Sequence, residues 1–308
     1  MASPREKKGV LPPPRIGISG WRYAPWRKTF YPEGLRQADE LAFAASQLNS
    51  IEINGSFYSL QRPASWRHWY EQTPANFVFS VKAARYITHM RRLKEIEGPL
   101  ANFFAQGLLA LGEKLGPILW QFPPNFVYER ERFAAFFERL PRDMRAAAAL
   151  ARRHEARMKG RVVLTVKSNH PVRHAVEIRH ESFNSPEFIG LLRRHNVALV
   201  VADTAGKWPF LEDVTADFVY CRLHGDKQLY TSGYTAEALD AWARRVKAWQ
   251  AGTEAAGARH ASAKGIQRRA SREVFVYFDN DVKVRAPFDA IGLAERTGGF
   301  RPAPWPAT

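Results

Sequence analysis

Short apolar runs recur along the chain, and nearly every one ends on a polar side chain. The runs are 15–20, 50–54, 77–81, 117–121, 175–178, 197–202, 218–223 and 274–278. Each is rich in Ile, Val, Phe or Leu, as strands buried on both faces of a parallel sheet must be. Between them, amphipathic periodicity predicts helices at 38–48, 99–115, 130–140, 186–195 and 236–250, with Pro186 suited to a first helical turn. A further helix is expected around Trp66 and Trp69. Strand alternating with helix predicts parallel pairing closed into a (β/α)8 TIM-type barrel, with a doubly wound open sheet as the alternative architecture.

The polar side chains at the run ends are Ser19, Asn54, Lys82, Gln121, Arg179, Asp203, His224, and Asp279 with Asn280. Side chains in a strand alternate with period two, so Glu52 shares a face with Asn54, Ser80 with Lys82, and Glu177 with Arg179. Tyr220, Arg222 and His224 share another, and Cys221 faces the opposite way as a small core residue. Charge inside a parallel strand is costly unless it meets a polar cavity, and barrels gather their sites at the C-terminal strand ends. The alternative is a ring of mutually satisfied ion pairs with no chemistry, a weak route to stability.

Composition sharpens this in three places. Forty-six Lys and Arg against 30 Asp and Glu leave a formal charge of +16, which favours anionic partners such as nucleic acid or phosphorylated metabolites. The excess concentrates in two stretches that read as insertions, 142–172 and 251–270, either solvated loops or polyanion-binding surfaces. Residues 1–14 read as a disordered basic leader, 15–300 as one barrel domain and 301–308 as a tail. The apolar runs are too short to span a bilayer, and the lone Cys221 excludes an intrachain disulfide and thiolate-rich metal sites. A cytoplasmic protein without membrane contact is the expectation.

Eight motifs in order carry a family resemblance: Gly17-Ile18-Ser19-Gly20-Trp21, Glu52-Ile53-Asn54-Gly55-Ser56-Phe57-Tyr58, Phe79-Ser80-Val81-Lys82, Leu119-Trp120-Gln121-Phe122-Pro123-Pro124, Val176-Glu177-Ile178-Arg179-His180, Ala202-Asp203, Tyr220-Cys221-Arg222-Leu223-His224-Gly225 and Tyr277-Phe278-Asp279-Asn280. Together, over about residues 15–290, they resemble the YecE-like family, domain of unknown function 72. The resemblance implies a barrel of the xylose isomerase and endonuclease IV type, with no firmly assigned activity. The chain departs from the family pattern by its two insertions and at 278–281, where the family usually carries Asn-Asn.

The candidate chemistry rests on Glu52, Glu177, Asp203 and His224, which arrive from four strands. Such a set suits either a divalent cation or a general acid–base pair, although only His180 and His224 stand at strand ends as imidazoles. In a metal-free mechanism Glu177 is the base and His224 its partner. Lys82, Arg179 and Arg222 bind the anion, and Asn54 and Gln121 orient it. Ser19, His180 and Asn280 complete the strand-end set, while Trp21, Phe57, Tyr58 and Tyr234 wall the pocket. His89, His154 and His195 read as surface residues. No Gly-x-Gly-x-x-Gly or Walker loop occurs, so no nucleotide cofactor is expected. Three function classes stay open: a hydrolase, lyase or isomerase acting on an anionic substrate, a nucleic-acid-binding protein with nuclease-like ancestry, and a non-catalytic small-anion sensor.

Overall fold

The computed structural model describes residues 11–230, 232–265, 267–280 and 284–305. Eight parallel strands hydrogen-bond in chain order and close on themselves, which settles the architecture as a barrel rather than an open sheet. They are β1 (Arg15–Ser19), β2 (Ser50–Ile53), β3 (Val78–Lys82), β4 (Leu115–Gln121), β5 (His174–Glu177), β6 (Ala198–Asp203), β7 (Phe218–Leu223) and β8 (Glu273–Phe278). The α-helices outside are α1 (Glu40–Gln47), α2 (Gly55–Tyr58), α3 (Pro63–Glu71), α4 (Glu97–Ala105), α5 (Arg130–Arg139), α6 (Met144–Ala151), α7 (Pro186–Arg194), α8 (Ala236–Gln250) and α9 (Ala286–Thr297). No α-helix separates β6 from β7; residues 204–217 make that connection as loop.

Period-two alternation divides the strands cleanly. Ile18, Ile51, Val81, Trp120, Val176, Val201, Cys221 and Val276 face the helices and join the main core. Their neighbours in sequence face the barrel axis, where Leu119, Val200, Phe218, Tyr220, Phe275 and Tyr277 make a second cluster. Such a filled interior is a packed plug rather than a pore. Strand β1 can approach β2 closely because residue 17 is glycine: a Cβ there would stand 1.8 Å from the Ser50 carbonyl oxygen.

Local chemistry sets the helix ends. The Ser185 hydroxyl accepts from the Phe188 N–H and Pro186 occupies the first turn of α7, as its sequence predicts. Asp143 and Thr235 cap α6 and α8 in the same way. The single helix expected over 99–115 is instead split. Helix α4 stops before Gly107, whose φ of +126° is open to glycine, and a 3-10 stretch Leu108–Lys114 follows. A side chain at 107 would also collide with the Trp66 ring.

The insertion 142–172 is built rather than loose. Helix α6 packs on α4 and buries Met144, Ala147, Ala148 and Ala151. The returning chain pins Val163 N–H to the Ala105 carbonyl and closes with the Val172 N–H on the Arg142 carbonyl. Arg145, Arg152, Arg153, Arg157, Lys159 and Arg161 remain exposed on it. The described part of 251–270 is tied to the β6–β7 connection, through Arg259 and Glu212 and through Ala261 and Asp213. Residues 1–10 of the expected leader lie outside the described residues, whereas the Pro12 and Pro14 carbonyls are bound by Gln250 and Asn49. The tail docks as far as Trp305, which meets Phe43 edge-on.

Candidate functional site

Strand register places one row of polar side chains directly above the barrel plug. Ser19 aligns with Glu52 and Glu52 with Ser80, while Gln121 aligns with Glu177 and Arg222 with Tyr277. Beneath them the Tyr277 and Tyr220 hydroxyls meet Ser50 at 2.7 Å and Ser80 at 2.6 Å, and the Tyr220 hydroxyl also donates to Glu52 Oε2 at 2.6 Å.

Arg222 is the hub of this row and is fully buried. Its Nε and Nη2 grip Glu52 in a bidentate pair at 3.1 and 2.9 Å, and Nη2 also reaches Asp279 Oδ2 at 2.7 Å and Ser19 Oγ at 3.0 Å. Nη1 donates to Glu177 Oε2 at 2.7 Å and points at His224 Nε2, 3.3 Å away. That contact needs an unprotonated Nε2, which assigns the ring proton to Nδ1. Nδ1 sits 3.1 Å from Asp279 Oδ2, near enough for attraction but angled away from a hydrogen bond. Ser19 completes the set by donating to Glu52 Oε1 and accepting from Asn54 Nδ2. Burial pushes the Glu177 and Asp279 carboxyls up, but Arg222, with Arg179 beside Glu177 and His224 beside Asp279, outweighs it and holds both well below the carboxylate range.

Above the hub lies a cavity of about 490 Å3, lined by Asn54, Phe57, Tyr58, Lys82, Gln121, Arg179 and Asp279 with Tyr23, Arg85, His89 and Tyr230 from the loops. Arg179 donates to Glu177 at 2.9 Å and lays its guanidinium 3.8 Å over the Trp208 ring. Lys82, only 8% exposed, stands 4.3 Å over the Phe57 ring. Among the described residues no carboxylate lies within ion-pairing distance of its ammonium. Burial and the Arg222 charge together bring its pKa down to about 8. Burial and the nearby Lys82, Arg179 and Arg85 charges likewise keep the His89 ring neutral, with a pKa lowered to about 4.

The sequence-predicted residues thus divide. Asn54, Tyr58, Lys82, Gln121 and Arg179 line the cavity as expected. Glu52, Ser19, Glu177, Arg222 and His224 come together, but as the buried row beneath it. Arg222 was expected to bind the substrate anion; every N–H it has is already committed to protein groups. Glu177, expected as a base, is held too acidic for that work by two guanidiniums. Asp203 leaves the group: it accepts from the Tyr234 hydroxyl at 3.1 Å and from the Ala205 N–H, and burial raises its pKa. Tyr234 is therefore a strut rather than a pocket wall. His180 caps the turn at Ser182 through Nδ1. Trp21 packs edge-on against Trp69 in an adjoining recess.

Asn280 faces away from the axis, donating to Asp289 and to the Ser232 carbonyl; its neighbour Asp279 takes the inward position. The period-two rule running Phe275, Tyr277, Asp279 carried that signal. Arg85, His89 and Tyr230 come from loops, where no periodicity points to them, and His89 belongs to the cavity wall rather than to the open surface expected of it.

The donor set does not fit a resident metal ion. The Arg222 guanidinium fills the space between Glu52, Glu177 and Asp279, and Asp203 is engaged by Tyr234. Among the described residues, no three His, Cys, Asp or Glu side chains gather in a coordinating group. No described helix is long and apolar enough to cross a membrane.

Comparison with known proteins agrees with this geometry. UPF0759 protein YunF of Bacillus subtilis is 28% identical over 39% of this chain and 43% of its own length. UPF0759 protein YecE of Escherichia coli K12 is 28% identical over 36% of this chain and 38% of its own. The aligned segment thus spans less than half of either relative. A DUF72 family protein from Thermotoga maritima superposes with a TM-score of 0.68 at 23% identity, covering 91% of this chain and 97% of that one. One from Enterococcus faecalis superposes at 0.67 and 17% identity, covering 96% and 99%. The family model described as protein of unknown function DUF72 matches residues 15–308, and the chain belongs to that family.

Proposed function

We propose that the cavity at the strand ends binds a small anionic molecule, a phosphate ester or a carboxylate, as the substrate of a lyase- or isomerase-type enzyme. The observation that carries this reading is the imbalance of charge on its wall. The carboxylates below are consumed by Arg222 and Arg179, whereas Lys82 and Arg85 have no ion-pair partner among the described residues. An arginine already held by stacking and a carboxylate is a pre-oriented fork for a phosphate or carboxylate group. The well is closed below by the barrel plug, which suits a small ligand better than a duplex.

The test is thermal stabilisation and calorimetric binding with inorganic phosphate and a panel of sugar phosphates. Wild-type protein is expected to bind and Lys82→Met to bind at least about tenfold more weakly, the loss of one charge-assisted contact. Equal affinity in the two proteins removes Lys82 from the site. No stabilisation by any anion sinks the reading.

A second reading, nucleic-acid binding, is supported by the exposed arginines around α6 and by the exposed Tyr58, Tyr86 and Met90 beside Arg85 and Arg157. Polyanion binding at that surface requires affinity for DNA that falls steeply with salt and ignores phosphate in the well.

A further inference from the structure

Lys82 combines four features that anion binding alone does not need. It is buried to 8% exposure, it sits against the Phe57 ring, it lacks a carboxylate partner among the described residues, and it opens into a cavity. A lysine kept only to hold a phosphate works best as a permanent cation in a wet, paired setting. A lysine kept desolvated beside a guanidinium is an amine held ready to lose its proton.

We propose that Lys82 is a covalent amine, condensing with the carbonyl of an anionic aldehyde or ketone whose charged group docks on Arg85 and Arg179. The inference rests on the anion-site reading above and names the substrate class within it.

The step balances without an oxidant or a metal. The neutral Nζ lone pair attacks the carbonyl carbon and the C=O π pair moves to oxygen. A proton passes from nitrogen to that oxygen to give a carbinolamine. Protonated again, the oxygen leaves as water and a C=N bond remains, positively charged at nitrogen. That cation draws electrons from a neighbouring C–H or C–C bond, which is the chemistry of isomerases and lyases, and water entering later restores the amine.

The groups facing Lys82 come from every side of the well. They are Arg222 and Glu52 below, Glu177 and Arg179 on β5 and the turn after it, Asp279 after β8, and Phe57 and His89 from the loops. Burial and Arg222 depress its protonation, the three carboxylates oppose that in part, and a pKa of about 8 results. At pH 8 about half the molecules then carry a free amine, against well below about one per cent for an ordinary lysine. Tyr230, which lines the same cavity and lies 3.4 Å from Arg179, brings a hydroxyl to pass the protons.

The test uses pyridoxal 5′-phosphate, an aldehyde that carries a phosphate, on the full-length protein. After mixing at pH 8 and reduction with sodium borohydride, peptide mass spectrometry is expected to place one adduct per chain on Lys82. Its labelling should exceed that of any other lysine by at least about tenfold, rise through pH 8 and fall when inorganic phosphate is added. Adducts scattered over surface lysines, with Lys82 no more modified than the rest, overturn the covalent role. If phosphate still stabilises the protein in that event, the anion site survives alone. Absence of phosphate stabilisation together with absence of Lys82 labelling removes both. The mapping is done on wild-type protein and does not depend on a variant folding.

Discussion

A guanidinium with every N–H engaged has no freedom left, and Arg222 is in that state. Its worth to the fold is clearest when it is removed. Arg222→Met leaves Glu52, Glu177 and Asp279 buried against one another, which predicts a loss of about 3–5 kcal/mol in urea unfolding at pH 7. A loss below about 1 kcal/mol refutes the hub. Residues of this kind were legible in the sequence because strand parity is rigid: Glu52, Glu177, Arg222 and His224 had to share the axis once the strands were placed. Their roles were not legible. Which carboxylate meets a substrate and which is spent on a neighbouring arginine depends on the depth at which each strand stops, and a sequence pattern does not record depth.

At the scale of elements, β4 and β5 are joined behind the sheet by a buried polar contact. His174 accepts from Trp120 Nε1 at Nδ1, 3.1 Å away, and donates from Nε2 to the Pro141 carbonyl at 2.8 Å. Burial lowers its pKa to about 3, so the ring is neutral in the fold and charged in the unfolded chain below about 6.5. The stability this ring contributes is full above about pH 6.5 and is lost as pH falls through that window toward 3. Glu177 and Asp279 act in the same direction but lower, since their contribution declines only below about pH 4. His174→Gln is therefore expected to flatten the decline between about pH 6.5 and 4 while leaving the fall below it, measured as unfolding free energy against pH. An unchanged profile would mean that His174 does not titrate on unfolding. Strands were the readable elements, each within a residue or two of its expected run. Helices were readable except where a glycine or a cap decided the matter, as at Gly107 and in α6. The loops that complete the cavity, with Arg85, His89 and Tyr230, left no periodic trace.

On the scale of the molecule, the basic insertion acts as a sleeve over α4. Its ends meet where the Val172 N–H bonds the Arg142 carbonyl at 2.9 Å, so 144–170 can be excised and replaced by a short glycine linker. Stripping this cover bares part of α4 and predicts a fall in Tm of at least about 5 °C, with phosphate binding in the well retained. A Tm within a degree of the parent protein would show that α4 does not depend on the sleeve.

The plug of Tyr220, Tyr277, Phe275 and Phe218 has a kinetic meaning as well as a structural one. It makes the well a cul-de-sac, so a molecule that enters must back out through the same opening before another takes its place. Whatever is made there stands in the doorway of whatever comes next, and competes with it.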